Sequence, residues 1–265
     1  TVLMEKRIRA GLMIYSSYDA YMLEEDGQIE MQLYREYVDL NISNPPKFVW
    51  VTTTAQAKEL LDGGNSFDLI INMFNTADTD VFRLSAYLKK KGLQTPVVLL
   101  TNFSKEVFRR LEMEDRSAVD YIFSWNGNAD LILAIIKLIE DKMNADEDII
   151  QAGVQCILLV EDSVRYYSTY LPELYKMIIK QGGEFLKETI NEQKRKFRKR
   201  SRPKILLATN YDDAMAMYAK YKSNLLGAAT GRGILGTTAD GEMIYYTVGS
   251  KYKELGYGTP FRVEG

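Results

Sequence analysis

Histidine is absent from all 265 residues. That excludes a Ser-His-Asp or Cys-His nucleophile system, a HExxH zinc site and phosphohistidine chemistry within these residues. Cysteine occurs once, as Cys156, so neither an internal disulfide nor a multi-cysteine metal site can form, which fits a reducing compartment. An excess of either charge is also missing. Lys and Arg number 34 against 36 Asp and Glu, a formal net charge of -2. Such a balance gives no general attraction to nucleic acid or anionic membrane. No uncharged apolar run approaches the roughly 20 residues of a membrane-spanning helix. The opening TVLMEKRIRAG has no long apolar stretch, so no signal peptide is expected there. The expected setting is the cytoplasm. The chemistry left to the chain is that of carboxylates, hydroxyls, Lys, Arg and backbone.

At 46% hydrophobic and 26% charged residues the composition is that of a globular protein, and the length suits two small domains. Short apolar runs alternate with amphipathic stretches, the pattern of an α/β parallel sheet. Residues 10–15, 47–52, 67–73, 96–101 and 119–124 read as strands. Helices are expected over 28–40, 54–61, 80–91, 104–115 and 130–143, the last with Leu131, Ile135, Leu138 and Ile139 along one side. Pro45 and Pro46 break the first helix, while Gly63-Gly64 and Gly92 close the next two. Five strands interleaved with five helices fit a doubly wound, flavodoxin-like sheet best.

Residues 144–153, NADEDIIQAG, are acidic and polar and read as a linker between domains 1–146 and 147–265. The cycle then restarts. A strand over 154–160 leads to Glu161-Asp162-Ser163, followed by a long helix over 163–200 interrupted by Pro172 and Gly182-Gly183. Strands 204–208 and 224–229 flank a helix over 212–222. Past Gly227 the pattern changes. Asp240-Gly241 reads as the turn of a hairpin between ILGTT and MIYYTV, and a last strand is expected over 261–263. The glycine-rich stretch 230–236 lacks phosphate-loop spacing. The second unit is therefore expected to be incomplete or altered.

The order strand, turn, helix, with Thr101 closing the fourth strand, resembles the receiver domain of two-component response regulators. The resemblance implies two carboxylates after the first strand and one after the third, which hold Mg²⁺ while the third-strand Asp takes a phosphoryl group. A hydroxyl after the fourth strand and a Lys after the fifth meet the new charge. Over residues 10–143 the acid pair falls at Ser16-Ser17 and the acceptor at Met73 beside Asn72. The hydroxyl is Thr101, and the lysine position is Trp125 in DYIFSWN. Neither Ser nor Met replaces a metal-binding or nucleophilic carboxylate, so the first domain resembles a pseudo-receiver. Thr101 and Tyr121 are its switch and interface candidates. In the second unit VQCILLVEDS puts Glu161 and Asp162 where the acid pair sits. Two acids after a strand equally make a solvated turn or a helix cap, and both readings stand. No carboxylate closes NLLGAATGRG.

A closer resemblance rests on FSKEVFR (103–109), DYIFSWNGNADLILAIIKLIEDKMNA (120–145), ILLVEDSVRYYSTYLPELYK (157–176) and RSRPKILLA (200–208). Residues 5–227 resemble the N-terminal regulatory region of certain bacterial phosphoenolpyruvate synthase/pyruvate phosphate dikinase-like proteins. There, a tandem of receiver-like domains precedes ATP- and pyruvate-handling domains. The resemblance implies a non-catalytic signal-transduction module, not an enzyme, whose partners are catalytic domains of the same polypeptide or of another protein. It implies no cofactor beyond Mg²⁺ at Glu161 and Asp162. Two alternatives are a Mg²⁺-dependent phosphoacceptor in the second unit and an anion- or nucleic-acid-binding protein. The latter would use KRKFRKRSRPK at 194–204, with Arg195, Arg198 and Arg200 as the anion-binding candidates. The overall charge balance favours a solvated helix end for that segment, so nucleic acid is not the expected partner, and neither is a membrane. Tyr166, Tyr167, Tyr170 and Tyr175 on the long helix suggest helix–helix contact, including pairing in a homodimer.

Overall fold

A computed structural model describes residues 3–15, 29–42, 44–74, 80–102, 109, 111, 113, 117, 119–125, 127–184, 201–230, 233–237, 243–247 and 261–262. The chain divides into two compact units. One comprises Arg7–Ile136 with Ser168–Glu173; the other comprises Thr1–Lys6, Lys137–Tyr167 and Leu174–Gly265.

The first unit holds β1 (Ala10–Ile14), β2 (Lys47–Val51), β3 (Leu69–Phe74), β4 (Val97–Thr101) and β5 (Tyr121–Ser124). Its helices are α1 (Ile29–Asp39), α2 (Thr54–Asp62), α3 (Asp80–Lys90) and the first half of α4 (Ala129–Ala145). All strand pairs are parallel, in the order β2-β1-β3-β4-β5. This is the doubly wound, flavodoxin-like order, with its crevice where the winding reverses between β1 and β3. The continuous apolar runs of β3 and β4 follow from helices covering the sheet. On one face Leu12, Ile14, Ile70 and Val97 pack with Ala57 and Leu61 of α2 and Leu84 and Leu88 of α3. Removing each such side chain from water contributes about 1.5–3 kcal/mol.

Local signals set the helix limits. Thr53 caps α2 by accepting the Gln56 N–H, and Gly92, at φ 73°, ends the turn after α3. Gly11 answers a different need: a Cβ there would stand 2.3 Å from Phe48 Cε1. The helix expected over 104–115 falls largely outside the described residues, as do the Asp240-Gly241 turn and residues 185–200 of the long helix.

The second unit restarts the same winding. β6 (Cys156–Val160), α5 (Val164–Glu184), β7 (Lys204–Ala208), α6 (Tyr211–Tyr221) and β8 (Leu225–Thr230) give a parallel core in the order β7-β6-β8. β9 (Gly233–Thr237), β10 (Met243–Thr247) and β11 (Phe261–Arg262) then extend the sheet antiparallel from β8. The expected hairpin thus forms. Gly233 begins a strand of that hairpin, and residues 231 and 232 of the glycine-rich stretch lie outside the described residues.

One expectation needs correcting. Residues 144–153 are no linker: α4 runs to Ala145 and a π-helical segment, Asp146–Gln151, continues it. The acids that suggested solvation each have a base. Asp146 pairs with Lys220, Glu147 with Lys6, and Asp148 with Lys204. Composition registers charge but not its partner, so a run of paired acids reads as a solvated one.

Candidate functional site

The first candidate lies at the carboxyl ends of β1, β3 and β4. Pairing sets Ile14 beside Asn72, Asn72 beside Leu99, and Phe74 beside Thr101, which in turn faces Ser124. Met73 is buried where the receiver pattern has its acceptor Asp, and a thioether offers neither a metal-binding charge nor a phosphoryl nucleophile. Asn72 is 3% exposed, and among the described residues its Nδ2 has no hydrogen-bond partner. Thr101 is buried, and its carbonyl accepts the Trp125 N–H at 2.8 Å. Tyr121 opens β5, buried, with its ring tilted against Phe123 at 6.2 Å. Ser16 and Ser17 lie outside the described residues.

The second candidate begins at the end of β6. Glu161 is buried and Asp162 exposed. Glu161 Oε1 accepts the Ser163 N–H at 3.0 Å, immediately before α5, and its own N–H donates to the Ala208 carbonyl at 3.0 Å. Glu161 thus serves the helix entry, as one of the two sequence readings has it. In the backbone ladder Val160 lies beside Thr230, so a threonine occupies the β8 position next to the acid pair. Among the described residues no group of three or more Asp, Glu or Cys could hold a metal ion. Arg195, Arg198 and Arg200 lie outside the described residues.

The densest polar chemistry is elsewhere in the second unit. Asp141, fully buried on α4, accepts from both Arg202 Nη2 (2.8 Å, to Oδ1) and Nη1 (2.9 Å, to Oδ2). Its Oδ2 also accepts the Tyr175 hydroxyl at 2.9 Å and the Ile205 N–H at 3.0 Å. The Ile205 bond has a topological cause. β7 is an edge strand, and the Lys204 N–H next to it is already spent on the Gln155 carbonyl, across the gap to β6. Asp141 therefore caps an outward-pointing donor and covers a buried sheet edge.

A few residues along, Lys204 Nζ meets Asp148 Oδ2 at 2.9 Å, with both side chains sealed from solvent. The Met4 N–H donates to both Asp148 oxygens at 3.2 Å. Asn144 holds Lys6 from both sides, its Oδ1 accepting the Lys6 N–H and its Nδ2 donating to the Lys6 carbonyl. Burial works against the Arg202 charge, but Asp141 outweighs it and holds the guanidinium above its ordinary value. Burial pulls the Lys204 ammonium down; Asp141 opposes that, Arg202 adds to it, and the Asp148 hydrogen bond opposes it again, with a lowered pKa as the outcome.

Sequence reading passed over this cluster. Its signal was present: Asp141, with Glu140, follows the buried run 131–139, where Lys137 is the single charge, and Arg202 and Lys204 bracket Pro203 at the start of the apolar stretch ILLA of β7. The stretches IEDKMNA, LYK and RSRPKILLA, which carried the family resemblance, converge on the one Asp141 carboxylate. Two of the bases in 194–204 are thus committed to buried ion pairs and are lost to any external anion. Of the tyrosines on α5, Tyr167 and Tyr175 are buried, whereas Tyr166 and Tyr170 are 52% and 37% exposed. No described helix is long and apolar enough to cross a membrane. No protein-family model, no curated protein and no solved structure matches the chain.

Proposed function

We propose that the chain is a non-catalytic, cytoplasmic regulatory module, a degenerate receiver tandem acting on phosphoenolpyruvate synthase-like catalytic domains of its own polypeptide or of a partner. The observation that carries this reading is the pairing at the end of the first sheet. Within the order β2-β1-β3-β4-β5, a buried Met73 occupies the acceptor position while Thr101 keeps the switch position one strand away. The sheet supports a signalling fold, and the substitution at the acceptor supports signalling without an acyl-phosphate. In the second unit the order β7-β6-β8 repeats the start of that winding, and the antiparallel strands replace the part that would carry a switch hydroxyl and a lysine. Regulation would then pass through occupancy of interfaces at Thr101 and Tyr121.

The test is incubation of the full chain with acetyl phosphate and Mg²⁺, followed by intact-mass measurement. No phosphoryl adduct is expected on either unit. A Mg²⁺-dependent adduct lost in Asp162→Ala would overturn the reading in favour of a working phosphoacceptor. A parallel assay adds the chain to a phosphoenolpyruvate synthase-like enzyme, where a saturable change in rate is expected.

A further inference from the structure

Two sheet edges in this chain are closed by side chains. At β7 the Ile205 N–H donates to Asp141, and at β5 the Ser124 N–H donates to Ser168 Oγ at 2.9 Å. β2, the other edge of the first sheet, is not closed in this way. Its Lys47 N–H goes to the Arg9 carbonyl, and its Val51 carbonyl accepts the Tyr15 N–H. In a parallel ladder that phase turns the backbone of residues 47, 49 and 51 toward β1, so Phe48 and Trp50 point N–H and C=O outward. Neither outward N–H has a partner among the described residues. An apolar flank adjoins the same edge. Glu30 accepts the Trp50 Nε1–H at 2.7 Å, which sets that side of α1 against β2. Tyr34 stands one turn on from Glu30, and Met31, Tyr34 and Val38 are each more than half exposed at helical spacing. Val49 is 42% exposed, on the face of β2 opposite to Phe48 and Trp50.

We propose that β2 pairs with β2 of a second copy, antiparallel about a two-fold axis through Val49, which joins the two first-unit sheets. The strand is self-complementary in this arrangement. Phe48 exchanges both backbone bonds with Trp50 of the second copy, and Trp50 does so with its Phe48, so every outward donor meets an outward carbonyl. Val49 meets its own counterpart at the axis, a non-hydrogen-bonded pair in which β-branched side chains approach closely. Lys47 falls opposite Val51, so the ladder sets no like charges together. A strand from another protein would match the backbone alone; a second copy also matches Val49 and brings its own α1 stripe. Pairing covers an edge that is otherwise open to any extended chain. The inference stands apart from the regulatory reading, since it requires no switch at Thr101.

The experiment is sedimentation velocity on the full chain across micromolar concentrations, with amide hydrogen exchange resolved at Phe48 and Trp50. A concentration-dependent dimer is expected, and exchange at both amides should slow as it forms. That slowing tests the register in the unaltered chain, independently of any variant. Val49→Lys sets two ammonium groups at the axis and should weaken the dimer by roughly ten-fold or more. Val49→Glu should do the same, with circular dichroism unchanged in both, and an equal mixture of the two variants should restore a heterodimer. A chain that stays monomeric throughout overturns the proposal. So does a dimer in which Phe48 and Trp50 keep the monomer rate, or one that both variants leave intact.

Discussion

Replacing Asp141 by Asn removes one charge and leaves the shape nearly intact. In the native unit the carboxylate takes two bonds from Arg202, one from Tyr175 and one from the Ile205 N–H. An amide keeps a single acceptor oxygen and turns an NH₂ group toward donors. Arg202 is then left buried without its counter-charge, a loss of about 3–5 kcal/mol. With a urea slope of about 2 kcal/mol/M, the unfolding midpoint of the second unit falls by roughly 2 M. The two tryptophans offer a way to see which unit yields, since Trp50 and Trp125 both lie in the first. Far-UV circular dichroism should show an early transition that tryptophan fluorescence does not follow. Combining Asp141→Asn with Arg202→Met removes the stranded charge and should recover much of the loss, as a double-mutant cycle would report. A single-variant cost below about 1 kcal/mol, or strict additivity in the cycle, would refute the argument that the pair forms a buried lock.

Other consequences can be checked more briefly. Asn72→Leu deletes a buried donor that has no partner among the described residues and should stabilise the first unit by about 1–2 kcal/mol in fluorescence-monitored urea unfolding; a destabilised variant would mean that the amide is needed. Tyr221 is pushed up to about 12 from its ordinary 10.0, first by burial and then by its hydrogen bond to Asp146. The folded state therefore holds its proton more tightly, so this contribution to stability is complete below pH 10 and fades as pH rises through about 12. Tyr221→Phe should remove that part of the alkaline stability loss, and an unchanged pH profile would count against the assignment. Cys156 is fully buried and its thiol is raised to about 11 by burial. At neutral pH it should react with a disulfide reagent only as the unit opens, with denaturant accelerating the reaction; rapid stoichiometric labelling of native protein would contradict this.

Much of the fold is legible along the chain. The strands are runs such as LIINMF and VVLLT, whose lack of alternation follows from burial on both faces. Helix limits are written in Thr53 and Gly92, which act on neighbours within one turn. The hairpin of β9 and β10 is likewise a local signal. The first candidate site is legible for the same reason, because Met73 and Thr101 are placed by strand ends. The ionic cluster is not. Asp141 and Arg202 stand 61 residues apart and Tyr221 is 75 from Asp146, so no window of sequence brings them together.

By itself, then, the amino-acid order determined where strands and helices begin, how they alternate, and that the first strand ends lack an acceptor carboxylate. Only the tertiary structure decided that the acids of 144–153 are helical and paired, that β7 is an edge needing Asp141, and that Glu161 serves the entry to α5. The division follows from range. Backbone propensity and apolar periodicity act over a few residues, whereas the cost of burying a charge depends on which distant opposite charge the completed fold places within hydrogen-bond reach.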